Sequence, residues 1–151
     1  MHSPVTWTIA GGRVLGPAPF FVVGIVNCTP DSFYDGGRFF DAEQAVGHAL
    51  DLMDQGADIV DIGGESTRPF SQRIGADHEK NRILPVMQSV FEHRPKAVLS
   101  VDTYRSEVAA AALDAGALII NDVSACTFDP ELLSVLVEYK PGYVLMHSQG
   151  R

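Results

Sequence analysis

Five short apolar runs, at residues 22–26, 58–64, 97–101, 118–120 and 143–146, are separated by stretches whose apolar residues recur at helical spacing. Parallel strands need a connection long enough to hold a helix, and strands apolar on both sides of the backbone need cover on both faces. Strict alternation of the two patterns therefore predicts an α/β chain, with a parallel sheet covered on both faces by helices. Asp41 is placed to cap the first helix, whose Ala42, Ala45, Val46, Ala49 and Met53 share a face, with Gln44 at the capping-box position and Gly56 as the stop. The second helix spans about residues 77–93 with Ile83, Met87, Val90 and Phe91 inward, and Pro85 is expected to kink it or start a new turn. The third carries Val108, Ala112 and Leu113 up to Gly116. The fourth opens with Asp129 as N-cap and Pro130 behind it, and turns Leu132, Leu133, Leu136 and Tyr139 inward. Ahead of all this, Val5, Trp7 and Ile9 alternate with Thr6 and Thr8 before Gly11-Gly12, which predicts a β-hairpin over residues 1–16, ended by Pro17 and Pro19.

With 151 residues, 46% of them hydrophobic, the chain has the composition of one globular domain, residues 1–151, and no interdomain linker interrupts it. A formal charge of -8 and a pI near 4.9 disfavour nucleic acid and anionic membrane surfaces as partners, so a phosphate-bearing ligand must be met by local Arg or a metal. No run reaches the ~18 apolar residues of a membrane span, and the N-terminus has no secretory pattern. Cys28 and Cys126 lack metal-ligand spacing and are expected as small buried thiols, which places the protein in the cytoplasm.

Right-handed crossovers bring the carboxyl ends of parallel strands to one rim. At those ends stand Asn27, Asp61 with Glu65, Asp102, Asn121 with Asp122, and His147. One polar residue at a strand end is ordinarily a cap or a turn former; five strands in succession with such ends point to a binding site. Open α/β sheets and (β/α)8 barrels both bind ligands there. The loop from Asn27 to Asp35 adds an amide, two hydroxyls, two carboxylates and two aromatic rings before Gly36-Gly37, more chemistry than a bare connection needs.

Residues 24–37, GIVNCTPDSFYDGG, and 59–69, IVDIGGESTRP, resemble the two signature segments of dihydropteroate synthases, and SVDT at 100–103, IIND at 119–122 and LMHSQG at 145–150 extend the likeness in order along the chain. Cys28, Tyr34 and Ser148 depart from the family pattern without removing a needed group. The resemblance implies a (β/α)8 TIM barrel, here as the N-terminal hairpin and roughly the first five strands and four helices. Such a barrel takes about 250 residues. The later pterin-contacting Asp and Lys, and the phosphate-binding Arg and His, are then expected outside these 151 residues, and the chain alone is expected to be inactive.

The reaction so implied is a step of folate biosynthesis. It joins p-aminobenzoate to the methylene carbon of 7,8-dihydropterin-6-ylmethyl diphosphate and releases pyrophosphate. A pterin edge offers adjacent N–H donors that suit a carboxylate and acceptors that suit an amide, so Asp102 and Asn121 are expected to bind the ring, with Met146 on its floor. Asn27 resembles the family's magnesium contact, and Mg2+ is the expected cofactor. Thr67 is expected on the diphosphate, Arg68 and Asp35 as the catalytic charges, and Phe33 with Pro69 around the p-aminobenzoate ring. A homodimer is allowed for the full-length protein. Two other readings fit the same pattern less fully: a pterin-binding methyltransferase domain, which needs no diphosphate chemistry, and a complete flavodoxin-like binding module.

Overall fold

The computed structural model describes residues 3–29, 38–65 and 73–147. Strands β1 (Val5–Thr8) and β2 (Val14–Ala18) form an antiparallel hairpin around a 3-10 turn at Ala10–Gly12. The second strand runs through Pro17 to Ala18 instead of ending at the first proline. A separate sheet follows, made of β3 (Val23–Asn27), β4 (Ile59–Gly63), β5 (Leu99–Asp102), β6 (Ile119–Asp122) and β7 (Gly142–Leu145), all parallel and in chain order. Between them run α1 (Arg38–Asp54), α2 (Ala76–His93), α3 (Ser106–Asp114) and α4 (Leu132–Tyr139).

Strand order corrects two expectations. Because each strand adds beside the previous one, every right-handed crossover lands on the same side, so the helices cover one face of the sheet and not both. The same order excludes the flavodoxin-like module, whose chain reverses direction across its sheet. Sequential strands with helices outside are the arrangement of a (β/α)8 barrel, here five strands of it.

The helix-covered face carries the main core: Val26, Val60, Ile62, Leu99, Val101 and Ile120 from the strands meet Ala49, Ile83, Met87, Val108 and Ala112 from the helices. The alternate residues point the other way. At the amino ends of the strands this inner face holds Ile59, Val98 and Ile119, and the hairpin closes over them with Ile9, Trp7 and Leu15. Gly142 lets the hairpin come this near, for a Cβ there would sit 2.8 Å from Ile9 Cγ2 and 3.0 Å from Trp7 Cζ2. On the same face Val23, level with Ile59, is exposed, as are Ile25 and Val144 farther toward the carboxyl ends.

Local departures have local causes. α1 begins at Arg38, so Asp41 lies inside the helix and is not its cap. Pro85 is accommodated within a continuous α2. Asp129 serves two helices at once: its Oδ1 accepts from Glu131 N at 3.1 Å ahead of α4, and its Oδ2 accepts from Ser106 N at 2.7 Å at the start of α3. The α-helix proper starts at Leu132, after that turn, and Leu133 faces solvent instead of the core. Cys28 is buried and burial pushes its thiol up to about 12, whereas Cys126 is only half-buried, its Sγ 3.4 Å from the Tyr143 hydroxyl.

Candidate active site

Register sets the inner rim. Asn27 pairs with Gly63, Gly63 with Asp102, and Asp102 with Asn121, so the four lie across the carboxyl ends of adjacent strands at one level. Gly63 contributes no side chain, and the space it leaves opens a trough between two functional groups. A Cβ built there would lie 3.7 Å from Asp102 Oδ2 and 3.8 Å from Asn27 Oδ1, so any larger residue would fill the trough. One pleat below, Asp61 stands level with Ser100 and accepts a hydrogen bond from Asn121 Nδ2 at 3.0 Å.

Asp102 is half-buried, and burial, followed by the negative charges of Asp61, Glu79 and Asp122, raises its carboxyl to about 7. It does not cap α3, because the amide of Ser106 at the start of that helix is taken by Asp129. Asp102 is therefore a costly carboxylate with no structural employment at the helix end, open to a ligand that brings N–H donors.

Asp122, next in sequence to Asn121, has the opposite fate because it points to the opposite face. Its carboxylate accepts from Ser124 N at 2.7 Å, Cys126 N at 2.6 Å and the Tyr143 hydroxyl at 3.0 Å. Burial works to raise it, but those donors outweigh burial and hold it below the usual carboxylate range. They also gather a turn in which Ala125 and Cys126 both adopt positive φ, at 51° and 61°. Met146, at the carboxyl end of β7, is tied to the same strand end by its N–H to Asp122 O at 3.3 Å, and its side chain is exposed at the rim.

Arg105 ties Glu65, just after β4, to Ile74, just before α2. Its guanidinium donates to Glu65 Oε2 at 2.8 Å, to the carbonyl of Ile74, and to Glu79, which is 1% exposed on α2. Glu65 is further held by Ile74 N at 3.1 Å and the Tyr104 hydroxyl at 3.0 Å. Burial would raise the Glu65 carboxyl, yet Arg105, Ile74 and Tyr104 together bring it below its ordinary value; for Glu79 burial wins and the value is raised. Arg105 stacks on Tyr104, 4.5 Å from the ring centre, and Tyr104 meets Phe128 edge to face. Local spacing does not single out Arg105, Tyr104 and Glu79, because their partners are 26 to 40 residues away.

Of the expected site residues, Asn27, Asp102, Asn121 and Met146 stand at the carboxyl rim. Phe33, Asp35, Thr67, Arg68 and Pro69 lie outside the described residues. A second cleft, about 610 Å³ and lined by Arg13, Phe21, Met53, Arg94 and Lys96 among others, opens at the opposite end of the strands beneath the hairpin and shares no residue with the rim. Among the described residues no cluster of three or more His, Cys, Asp or Glu is placed to hold a metal, and no helix is long and apolar enough to cross a membrane.

Parallel strands in chain order, with a carboxylate and an amide at adjacent carboxyl ends, put the candidate site where (β/α)8 barrels bind their ligands. The comparisons specify the class: residues 23–151 match the family described as pterin binding enzyme, and the chain belongs to that family. It is 44% identical over 128 residues to the dihydropteroate synthase of Bacillus subtilis (strain 168), covering 85% of this chain and 45% of the relative. It is also 46% identical over 131 residues to the mitochondrial folate synthesis bifunctional protein of Arabidopsis thaliana, covering 85% of this chain and 24% of that one. Among solved structures, the Xanthomonas albilineans dihydropteroate synthase with 4-aminobenzoic acid superposes with a TM-score of 0.85 at 42% identity, over 97% of this chain and 53% of that one. The same enzyme in complex with 7,8-dihydropteroate gives 0.79 at 40% identity, over 95% and 51%. The chain spans about half the length of the bacterial relatives it matches.

Proposed function

We propose that this chain supplies the pterin-binding part of a dihydropteroate synthase of folate biosynthesis. The observation that carries the reading is the rim pair: Asp102 and Asn121 on adjacent strands, the first a carboxylate with no structural duty at the helix end, the second an amide held from below. Two adjacent N–H donors of a pterin edge satisfy such a carboxylate, at roughly 1.5–3 kcal/mol for each charge-assisted bond. The relatives' names, and the Thr67-Arg68 segment suited to a diphosphate, favour the synthase over a pterin-dependent methyltransferase.

In the proposed reaction the amine of p-aminobenzoate forms a C–N bond to the pterin methylene. The C–O bond to the diphosphate breaks, pyrophosphate departs with the electron pair, and the new amine gives up a proton. Asp102, Asn121 and Met146 orient the ring. Thr67 holds the diphosphate, Arg68 balances the charge of the leaving group, Asp35 faces the positive charge on the methylene, and Phe33 with Pro69 flank the incoming aromatic ring. Mg2+ fits the donors present, because a diphosphate and water would supply most of its coordination and the amide oxygen of Asn27, beside the trough over Gly63, would supply the protein's share. When bound, the ion neutralises charge on the leaving group. A cytoplasmic location, in which Cys28 and Cys126 stay as thiols, and a homodimer of the full-length protein complete the proposal.

Calorimetric titration with dihydropterin diphosphate and Mg2+ tests this reading on the full polypeptide carrying these residues. Asp102→Asn is expected to weaken binding at least about tenfold, since an amide oxygen cannot accept both donors. An unchanged affinity would remove Asp102 from the site. Asp35→Ala is expected to leave that affinity nearly intact while slowing a single turnover, because the charge it meets arises only as pyrophosphate leaves.

A further inference from the structure

Asp61 is a buried carboxylate on the inner face of the sheet that the reaction above does not use. It lies on the inner face of β4, 6% exposed, and lines a cleft of about 110 Å³ together with Ile59, Ser100, Ile119, Asn121 and Val144. Its Oδ2 accepts from Asn121 Nδ2 at 3.0 Å, and its Oδ1 has no partner among the described residues. Among the described residues, its one side-chain hydrogen bond is the one from Asn121.

That one bond has a chemical consequence. An ionised carboxylate only accepts hydrogen bonds, so an amide facing it must turn its NH2 inward and leave its carbonyl oxygen for whatever sits above. An amide with no such neighbour presents either end at little difference in cost. We propose that Asp61 is a positioning residue that fixes the Asn121 amide in one orientation, its oxygen toward the ligand, and so determines which hydrogen-bonding edge of a ring the floor accepts. The idea rests on the reading that Asp102 and Asn121 hold a pterin.

A residue that acts only through Asn121 must lose its effect when Asn121 is gone, which a double-mutant cycle reads directly. The probe is 7,8-dihydropteroate, titrated calorimetrically into the full polypeptide carrying residues 1–151. Asp61→Ala is expected to weaken binding about tenfold in the wild-type background but less than about twofold beside Asn121→Ala. An equal loss in both backgrounds overturns the proposal. If Asn121→Ala by itself leaves affinity unchanged, the pterin reading of the floor fails first, and the two failures are told apart by that single variant. Should Asp61→Ala not fold, Asp61→Asn replaces it in the cycle; its amide keeps the volume but can face Asn121 either way, and a loss of about threefold that vanishes beside Asn121→Ala is expected. A loss that persists there overturns the proposal equally.

Discussion

The two faces of the five-stranded sheet are built from the same strands, residue by alternate residue, and they are in opposite condition. Val60, Ile62, Leu99, Val101 and Ile120 face the helices and are entirely buried in close apolar contact. Their neighbours Asn27, Asp61, Ser100, Asp102 and Asn121 face inward, with a carboxylate raised by burial and by like charges and a buried oxygen without a partner among the described residues. On the outer face each residue's interactions are complete within the fold; on the inner face they are incomplete until something else arrives. Stability is concentrated on one side and binding capacity on the other, and period-two alternation lets a strand carry both.

The widest gap between the faces is expected in stability. Leu99→Ala removes a side chain with no exposure from the outer core and is expected to cost about 2–5 kcal/mol. Ile25→Ala, on the inner face at 62% exposure, is expected to cost less than about 0.5 kcal/mol in the 151-residue chain. Denaturant midpoints for the two variants measure the contrast, and equal losses would erase it.

Next in size is Arg105→Ala, which strands the buried Glu79 beside Glu65 without a counter-charge and is expected to destabilise by about 3 kcal/mol. Replacing Arg105 and Glu79 together by apolar residues is expected to recover part of that loss, which thermal melts of the single and double variants would show.

Asp102→Asn runs the other way. Since the folded protein holds this carboxyl near 7 and the unfolded chain releases its proton near 4, the protonated form stabilises the fold, and that stability is lost as pH rises through about 7. The substitution is accordingly expected to stabilise the protein by about 1–2 kcal/mol at pH 8, discounted for partial exposure, and by almost nothing at pH 4. A gain independent of pH would assign it to something other than the buried charge.

The smallest effect is in binding. Donors on the pterin prefer the ionised carboxylate, so affinity is expected to rise about tenfold between pH 6 and pH 8 as Asp102 loses its proton. Asp102→Asn should flatten that profile, and calorimetry across the range would show a persisting slope if another group were responsible.

The alternation of apolar runs and helical stretches was enough to foresee the order of the elements and the rim positions of Asn27, Asp102 and Asn121, because each rests on local spacing and on the fixed hand of the crossover. What it left open was the choice between cover on one face and cover on two. Short, wholly apolar strands look alike in both cases, and strand order alone decides. Asp41 looked like a cap because capping residues and first-turn acids share a signature; α1 starts three residues earlier. The division of labour between Asn121 and Asp122 is invisible in sequence for a related reason, since adjacent polar residues at a strand end do not reveal which one faces the barrel and which one gathers the following turn. Arg105 and Asp61 act through partners distant in sequence, and no spacing rule connects them.

Gly142 has a meaning in time as well as in space. The hairpin that floors the inner face is made before any of the five parallel strands, yet its Ile9 and Trp7 settle against the start of β7, the last of them. A contact spanning so much chain closes only after the intervening strands are in place, and such long-range closures slow folding. During synthesis the hairpin must therefore wait, its apolar side uncovered, until the fifth parallel strand emerges.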